Sequence, residues 1–290
     1  MGLVEGWDPI KIGIDPEIGS VGGLLLTWHG VFVAVGIAVG VWVAVQLAQR
    51  VGIIEDIGYT VALIAVPAGI IGARALYVIE NYGDPGSGLH SVGDIFALNE
   101  GGISIFGAVL GGIMGAWAWG FWRKLPILKG SDAGAAGLIL GMGIGRIGDI
   151  INGEHIASST DLPFGVVYTH ANSLGFGRDP QHLAVGYEMV GDLLIFLVLL
   201  GIWRWYRRPG VMFFSFLLLY SLMRLGVSAL RLDNDIWGEL RMAQIVSLFV
   251  IPIAAIGLLY SLRRAPEAEP PPLEPEPEPV PATGRQRVRR

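Results

Sequence analysis

Residues Leu138–Ala157 read LILGMGIGRIGDIINGEHIA, an apolar, glycine-rich run that turns polar without ending. Arg146, Asp149, Asn152 and Glu154 then fall within about three helical turns. A charged side chain at bilayer depth costs roughly 2.5–3.5 kcal/mol on insertion scales. Four polar groups gathered at this depth therefore indicate use, and the first question is whether the flanking chain really is a membrane protein.

Composition says that it is. Of 290 residues, 52% are hydrophobic and only 16% charged, with a mean hydropathy of +0.57. Several apolar runs reach the ~20 residues that cross a bilayer. We expect spans at about 21–48, 59–79, 101–122, 132–151, 187–206, 211–230 and 242–262. The fold class is thus an all-α polytopic membrane protein with seven transmembrane helices, organised as one domain over 1–264. A long loop at about 152–185 contains one strand-like run, Phe164 to Tyr168. Residues 265–290 are rich in Pro and Glu, which prevents a packed core, and are expected to be a disordered tail. Met1 to Ser20 lacks the basic start of a cleavable signal peptide, so the first span should stay as an anchor.

Basic residues follow spans one, three, five and seven: Arg50; Arg123, Lys124 and Lys129; Arg204, Arg207 and Arg208; Arg263 and Arg264. By the positive-inside rule the N-terminus is outside, the C-terminus is cytoplasmic, and the long loop faces outward. The net charge of −5 carries little information, because the tail supplies much of the acid. The chain has no cysteine, which excludes disulfides, thiolate metal sites and a cysteine nucleophile of its own. No P-loop, HExxH or GxSxG occurs, and the GxGxxG lettering of GMGIGRIG follows no strand, so a dinucleotide site is excluded by context.

Three arginines, Arg74, Arg146 and Arg224, lie inside apolar spans. Asp149 is one turn from Arg146 and can neutralise it, whereas Arg74 and Arg224 show no local partner in the sequence. Guanidinium binds phosphate oxygens in pairs, and the anion available at this depth is a phospholipid phosphate. Read structurally instead, each arginine locks helices together. His29 in TWHG is either a packed core histidine or a catalytic one. His182 and Glu188, in HLAVGYE, sit where they can hold the long loop.

GRIGDIINGE (Gly145 to Glu154) resembles the GRxGNFxNxE motif of the bacterial prolipoprotein diacylglyceryl transferases. Six further pieces stand in the same order: TWHG, GAR with Tyr77 after it, GGISIFGAVLGG, LPFGVVY, HLAVGYE and YSLMR. The resemblance covers nearly everything but the tail. It implies an enzyme of the cytoplasmic (inner) membrane, active near the outer face, with no metal or other cofactor and no nucleic-acid partner. Such an enzyme moves a diacylglyceryl group from phosphatidylglycerol to the lipobox cysteine of a prolipoprotein signal peptide, as a thioether. Glycerol phosphate leaves. Arg146 and Arg224 would correspond to the family's essential arginines and hold the phosphate, with Arg74 a third candidate. Asn152, Glu154, His182 and Tyr220 would help bind the lipid, and Tyr220, one turn before Arg224, would orient that arginine.

The chain departs from the family pattern at five places. Asp149 stands for asparagine, His29 for tyrosine, Phe106 for a histidine discussed as a base, Ala157 for glycine and Ser228 for an acid. We therefore expect His29 to serve as the base, with Asp149 the second choice. The competing expectations are a lipid-binding relative with another acceptor or no catalysis, and a small transporter with arginines along an anion path.

Overall fold

A computed structural model of the chain describes residues 8–22, 24–81, 104–205, 208–233, 235–237 and 240–264. Its elements run β1 (Ile10–Ile12), β2 (Glu17–Val21), β3 (Leu24–Thr27), α1 (Trp28–Gln49), α2 (Glu55–Asn81), α3 (Ile105–Trp122) and α4 (Ile127–Asn152). There follow β4 (Val166–Tyr168), α5 (Ala184–Trp205), α6 (Val211–Ser228), β5 (Asp235–Trp237), β6 (Leu240–Arg241) and α7 (Met242–Arg263). Among the described residues six helices, α1, α2, α4, α5, α6 and α7, are long and apolar enough to cross a membrane. The chain is a polytopic, largely helical membrane protein, as its hydropathy required. The expected tail at 265–290 and residues 82–103 lie outside the described residues.

The start of the first span needs correction. Hydropathy begins it at Val21, but residues Glu17–Val21 and Leu24–Thr27 form an antiparallel hairpin, and the helix starts at Trp28. Hydropathy averages cannot distinguish the apolar strand Leu24-Leu25-Leu26 from a helical turn. Two local signals can: Gly22 takes a left-handed φ of 60° in the turn, and the Thr27 hydroxyl accepts the Gly30 N–H at 3.2 Å as an N-cap.

Two helix pairs are drawn together by glycine. A Cβ built on Gly36 would lie 2.4 Å from the Gly141 carbonyl oxygen, and one on Gly40 would lie 2.6 Å from that of Gly137. Without side chains at these positions, α1 and α4 meet backbone to backbone. At the far end of the same seam a Cβ on Gly148 would lie 2.6 Å from the Cα of His29. The α2–α3 pair uses the same device at Gly72 and Gly107. Elsewhere α5 and α6 pack on α4 around Ile139, Leu199, Met212 and Phe216. The buried Asp132 of α4 accepts the N–H groups of Gly210 and Phe213 at 2.7 and 2.8 Å, so it caps α6 from a neighbouring helix.

The loop after α4 folds back over that end of the bundle. Gly153 ends α4 in the left-handed region, with φ 72°. Ser173 Oγ and the Leu174 N–H both donate to the Asn152 carbonyl, and the Tyr168 hydroxyl donates to that of Ile150 at 3.0 Å. Here the strand-like reading of Phe164 to Tyr168 corresponds to β4, which pairs in parallel with β1 from the N-terminal segment. The polar N-terminus thus contributes a strand that its composition did not announce.

Gly148→Ala should push α1 off α4 at His29. Overpacking of this kind costs typically 1–3 kcal/mol, roughly. The expected result is a lower thermal midpoint in detergent than that of Gly134→Ala, at a position where an added Cβ meets nothing within 4 Å.

Candidate active site

Four helix ends converge beneath the folded-back loop: the start of α1, the end of α4, the start of α5 and the end of α6. The α1–α4 seam brings His29 to Asp149, with Nδ1 2.6 Å from Oδ1. A carboxylate oxygen can only accept here, so Nδ1 carries the proton and Nε2 is left free as a base. Glu154 Oε1 is 3.7 Å from the same nitrogen, and the Asn152 amide donates to that oxygen at 3.1 Å. His29 is the accessible member of this group, with a side-chain exposure of 37% against 6% for Asp149.

One turn further from the loop lies a charged layer. Arg146 donates to Asp149 Oδ2 at 3.0 Å, as their i,i+3 spacing predicted. Its other terminal nitrogen is 2.7 Å from Glu188 Oε2, a charge contact without the alignment of a hydrogen bond. Arg224 donates to Glu188 Oε1, and Arg231 approaches that same oxygen at 3.3 Å. Glu188 has no exposed surface and stands among three guanidiniums.

This corrects the reading of Arg224 as a cation without a partner: its partner comes from another helix. It also corrects the reading of Glu188 as a loop holder. Arg231, just past α6, is buried and pairs with Asp233 at 2.8 Å. Neither residue carries a signal within its own segment beyond being charged beside an apolar span.

The other expected site residues divide. Tyr220 stands beside Arg146 across the helix interface as well as one turn from Arg224. His182 is turned to Tyr187, whose hydroxyl is 3.2 Å from Nδ1, and its backbone N–H holds Ser158. Its described contacts are those of a loop anchor. Arg74 is buried on the α2–α3 pair, with its guanidinium 5.2 Å from the Tyr77 ring centre, whereas Arg146 and Arg224 meet at Glu188. The Phe106 side chain lies outside the described residues.

His155, which the sequence reading passed over, completes the group. Its backbone is left-handed at φ 59°, a conformation uncommon for a residue with a side chain. Arg231 Nη2 lies 2.7 Å from its Nδ1, and a guanidinium only donates, so Nδ1 accepts and Nε2 bears the proton, 4.0 Å from Asp149. Burial and then the charge of Arg231 push the His155 pKa down to about 4. Burial raises the Glu154 carboxyl above its ordinary value.

His29, Asp149 and Glu154 each bring one ligand atom within 4.8 Å of the others, a spacing that can hold a metal ion. In this arrangement the His29–Asp149 hydrogen bond uses the donor atoms that would face it.

A family model described as prolipoprotein diacylglyceryl transferase matches residues 16–260. The phosphatidylglycerol–prolipoprotein diacylglyceryl transferase of Clostridioides difficile is 34% identical over 238 residues, covering 82% of this chain and 92% of its own. The protein of the same name from Thermosynechococcus vestitus is 33% identical over 252 residues, covering 82% and 90%. That from Gloeobacter violaceus is 32% identical over 279 residues, covering 91% and 100%.

Two outcomes follow from the geometry. Glu188→Gln leaves three guanidiniums without their shared counter-charge, and breaking a buried pair in this way costs about 3–5 kcal/mol. Its thermal midpoint in detergent should fall well below that of the surface variant Glu17→Gln. The second concerns pH. His155 has a folded pKa below its unfolded value, so the unfolded chain binds the extra proton. Its contribution to stability is complete above about 6.5 and is lost as pH falls toward about 4. The raised carboxyl of Glu154 works in the opposite sense, so the test is a difference: His155→Leu should flatten the acid limb of the midpoint-against-pH curve relative to the wild type.

Proposed function

This chain belongs to the prolipoprotein diacylglyceryl transferase family, and from that membership we propose that it transfers the diacylglyceryl group of phosphatidylglycerol to the lipobox cysteine of prolipoproteins. The observation that carries the reading is the placing of Arg146 and Arg224 together on a buried Glu188, directly below the His29–Asp149 pair. In our reading all seven helices span the cytoplasmic membrane, α3 included, with the N-terminus and the folded-back loop outside. The basic residues after α1, α3, α5 and α7 support that orientation.

The chemistry is a displacement at the lipid carbon that bears the phosphate oxygen. A thiol must become a thiolate to attack carbon. His29 Nε2 takes the cysteine proton, while Asp149 holds the ring by Nδ1 and steadies the imidazolium that forms, the arrangement by which a carboxylate supports a histidine base. Glu154, 3.7 Å away, adds a second negative charge at this point. The S–C bond forms as the C–O bond breaks, and its electron pair goes to the phosphate oxygen. Arg146 and Arg224 offset the charge that grows there. Each guanidinium has five N–H groups, more than Asp149 and Glu188 take up, so donors remain for a phosphate. The products are the thioether and glycerol phosphate.

The pairing of His29 with Asp149 explains two departures from the family pattern together. Where the motif has tyrosine and asparagine, this chain has an imidazole and the carboxylate that orients it.

Purified protein supplied with phosphatidylglycerol and a synthetic lipobox peptide should yield a peptide heavier by the diacylglyceryl group. General-base catalysis contributes typically 10²–10⁴-fold, so His29→Ala should lower the rate by about 100-fold or more. Full activity in a folded His29→Ala protein would remove His29 from the mechanism. An inactive wild type that still retains phosphatidylglycerol would instead make the chain a lipid-binding relative.

A further inference from the structure

We propose that Asp192, assisted by Tyr220, is the subsite for the terminal glycerol of the lipid donor and selects phosphatidylglycerol over anionic lipids that lack a diol. The proposal rests on the transfer reading above and names a specificity residue for it.

Asp192 lies on α5 one turn beyond Glu188, has no exposed surface, and neither carboxyl oxygen has a hydrogen-bond partner among the described residues. Buried polar side chains that serve only structure are satisfied by neighbours, as Asp132 is by the N–H groups of α6. In a low-dielectric interior an unmet carboxyl is costly, and its persistence indicates an occupant that supplies donors. The surroundings describe that occupant. Asp192 packs over Gly143, which is one turn from Arg146 on α4. Arg146 Nε is likewise buried and without a hydrogen-bond partner among the described residues. Donor and acceptor capacity thus stand side by side around Arg146. A bare phosphate would meet the guanidinium and leave Asp192 facing a second anion. A phosphate followed by a diol meets both.

The direction of the reaction makes the same demand. Displacement at carbon requires the leaving oxygen to lie opposite the incoming sulfur. With the base at His29, on the loop side, and the phosphate at Arg146 and Arg224, the group attached beyond the phosphate continues one layer deeper. That layer holds Asp192 and Tyr220. The hydroxyls of the head glycerol would donate to Asp192, and the Tyr220 hydroxyl would complete the cradle.

The test uses the full chain in detergent and compares binding of phosphatidylglycerol with that of phosphatidylmethanol of equal acyl chains, a phosphodiester without hydroxyls. Competition read by native mass spectrometry gives the preference directly. A hydrogen bond to a charged acceptor makes the expected wild-type preference about tenfold or more. In Asp192→Leu the preference should vanish while phosphatidylmethanol binding is kept; Asp192→Asn and Tyr220→Phe, which preserve shape, should reduce it and serve if the leucine variant does not fold. Equal loss for both lipids would overturn the proposal and make Asp192 a counter-charge of Arg146. An unchanged preference in the variants would overturn it outright. A wild type that transfers lipid without any preference overturns the subsite alone, whereas a wild type that neither transfers nor binds phosphatidylglycerol overturns the donor reading as well.

Discussion

The arginines at the loop side of this bundle answer to one carboxylate. Glu188 is fully enclosed, and taking its charge out of water costs several kcal/mol unless the charge is met. It is met by guanidiniums from α4, from α6 and from the segment after α6. The dependence is mutual, since three cations cannot be buried together without an anion among them. The anion fixes where these helix ends sit relative to one another, and so fixes the gap into which a lipid phosphate would have to come. A site that must bind an anion thus already contains one. Its affinity for phosphate then depends on how many N–H groups remain uncommitted, and Arg146 Nε is one such group.

The helical frame was legible because hydropathy acts over ~20 residues and each span carries its own evidence. The Arg146–Asp149 pair was legible for a similar reason: both partners lie on one helix at a spacing that brings them together. What the sequence could not show is pairing across helices. Glu188 and Arg224 are far apart in the chain, and either could equally well have faced water at a helix end. Arg74 is a further case, because its apolar segment gives no sign that the guanidinium is buried on the α2–α3 pair beside Tyr77. The hairpin before α1 was missed because three consecutive leucines raise hydropathy regardless of backbone conformation.

Glycine sets the precision of the site as much as charge does. A 2.6 Å contact between His29 and Asp149 joins two helices that have no covalent neighbour in common, and it needs both helices held to within tenths of an ångström. Backbone contact at Gly36, Gly40, Gly137 and Gly141 provides this without relying on side chains that can change rotamer. The same seam explains why the base, in our reading, could move from one helix to another within a family. Whatever residue stands at position 29 is delivered to position 149.

The parallel pairing of β1 with β4 bears on biogenesis. β1 leaves the ribosome before any helix, and its partner strand emerges only after four of them. Until then the N-terminal strand has an unsatisfied edge, and the covering over the polar cluster cannot close. Assembly of this covering therefore follows the emergence of the first four helices, since a contact between such distant segments must await the chain between them. An immature chain would present its arginines unroofed, which gives membrane chaperones and quality-control proteases a simple mark by which to tell it from the finished protein.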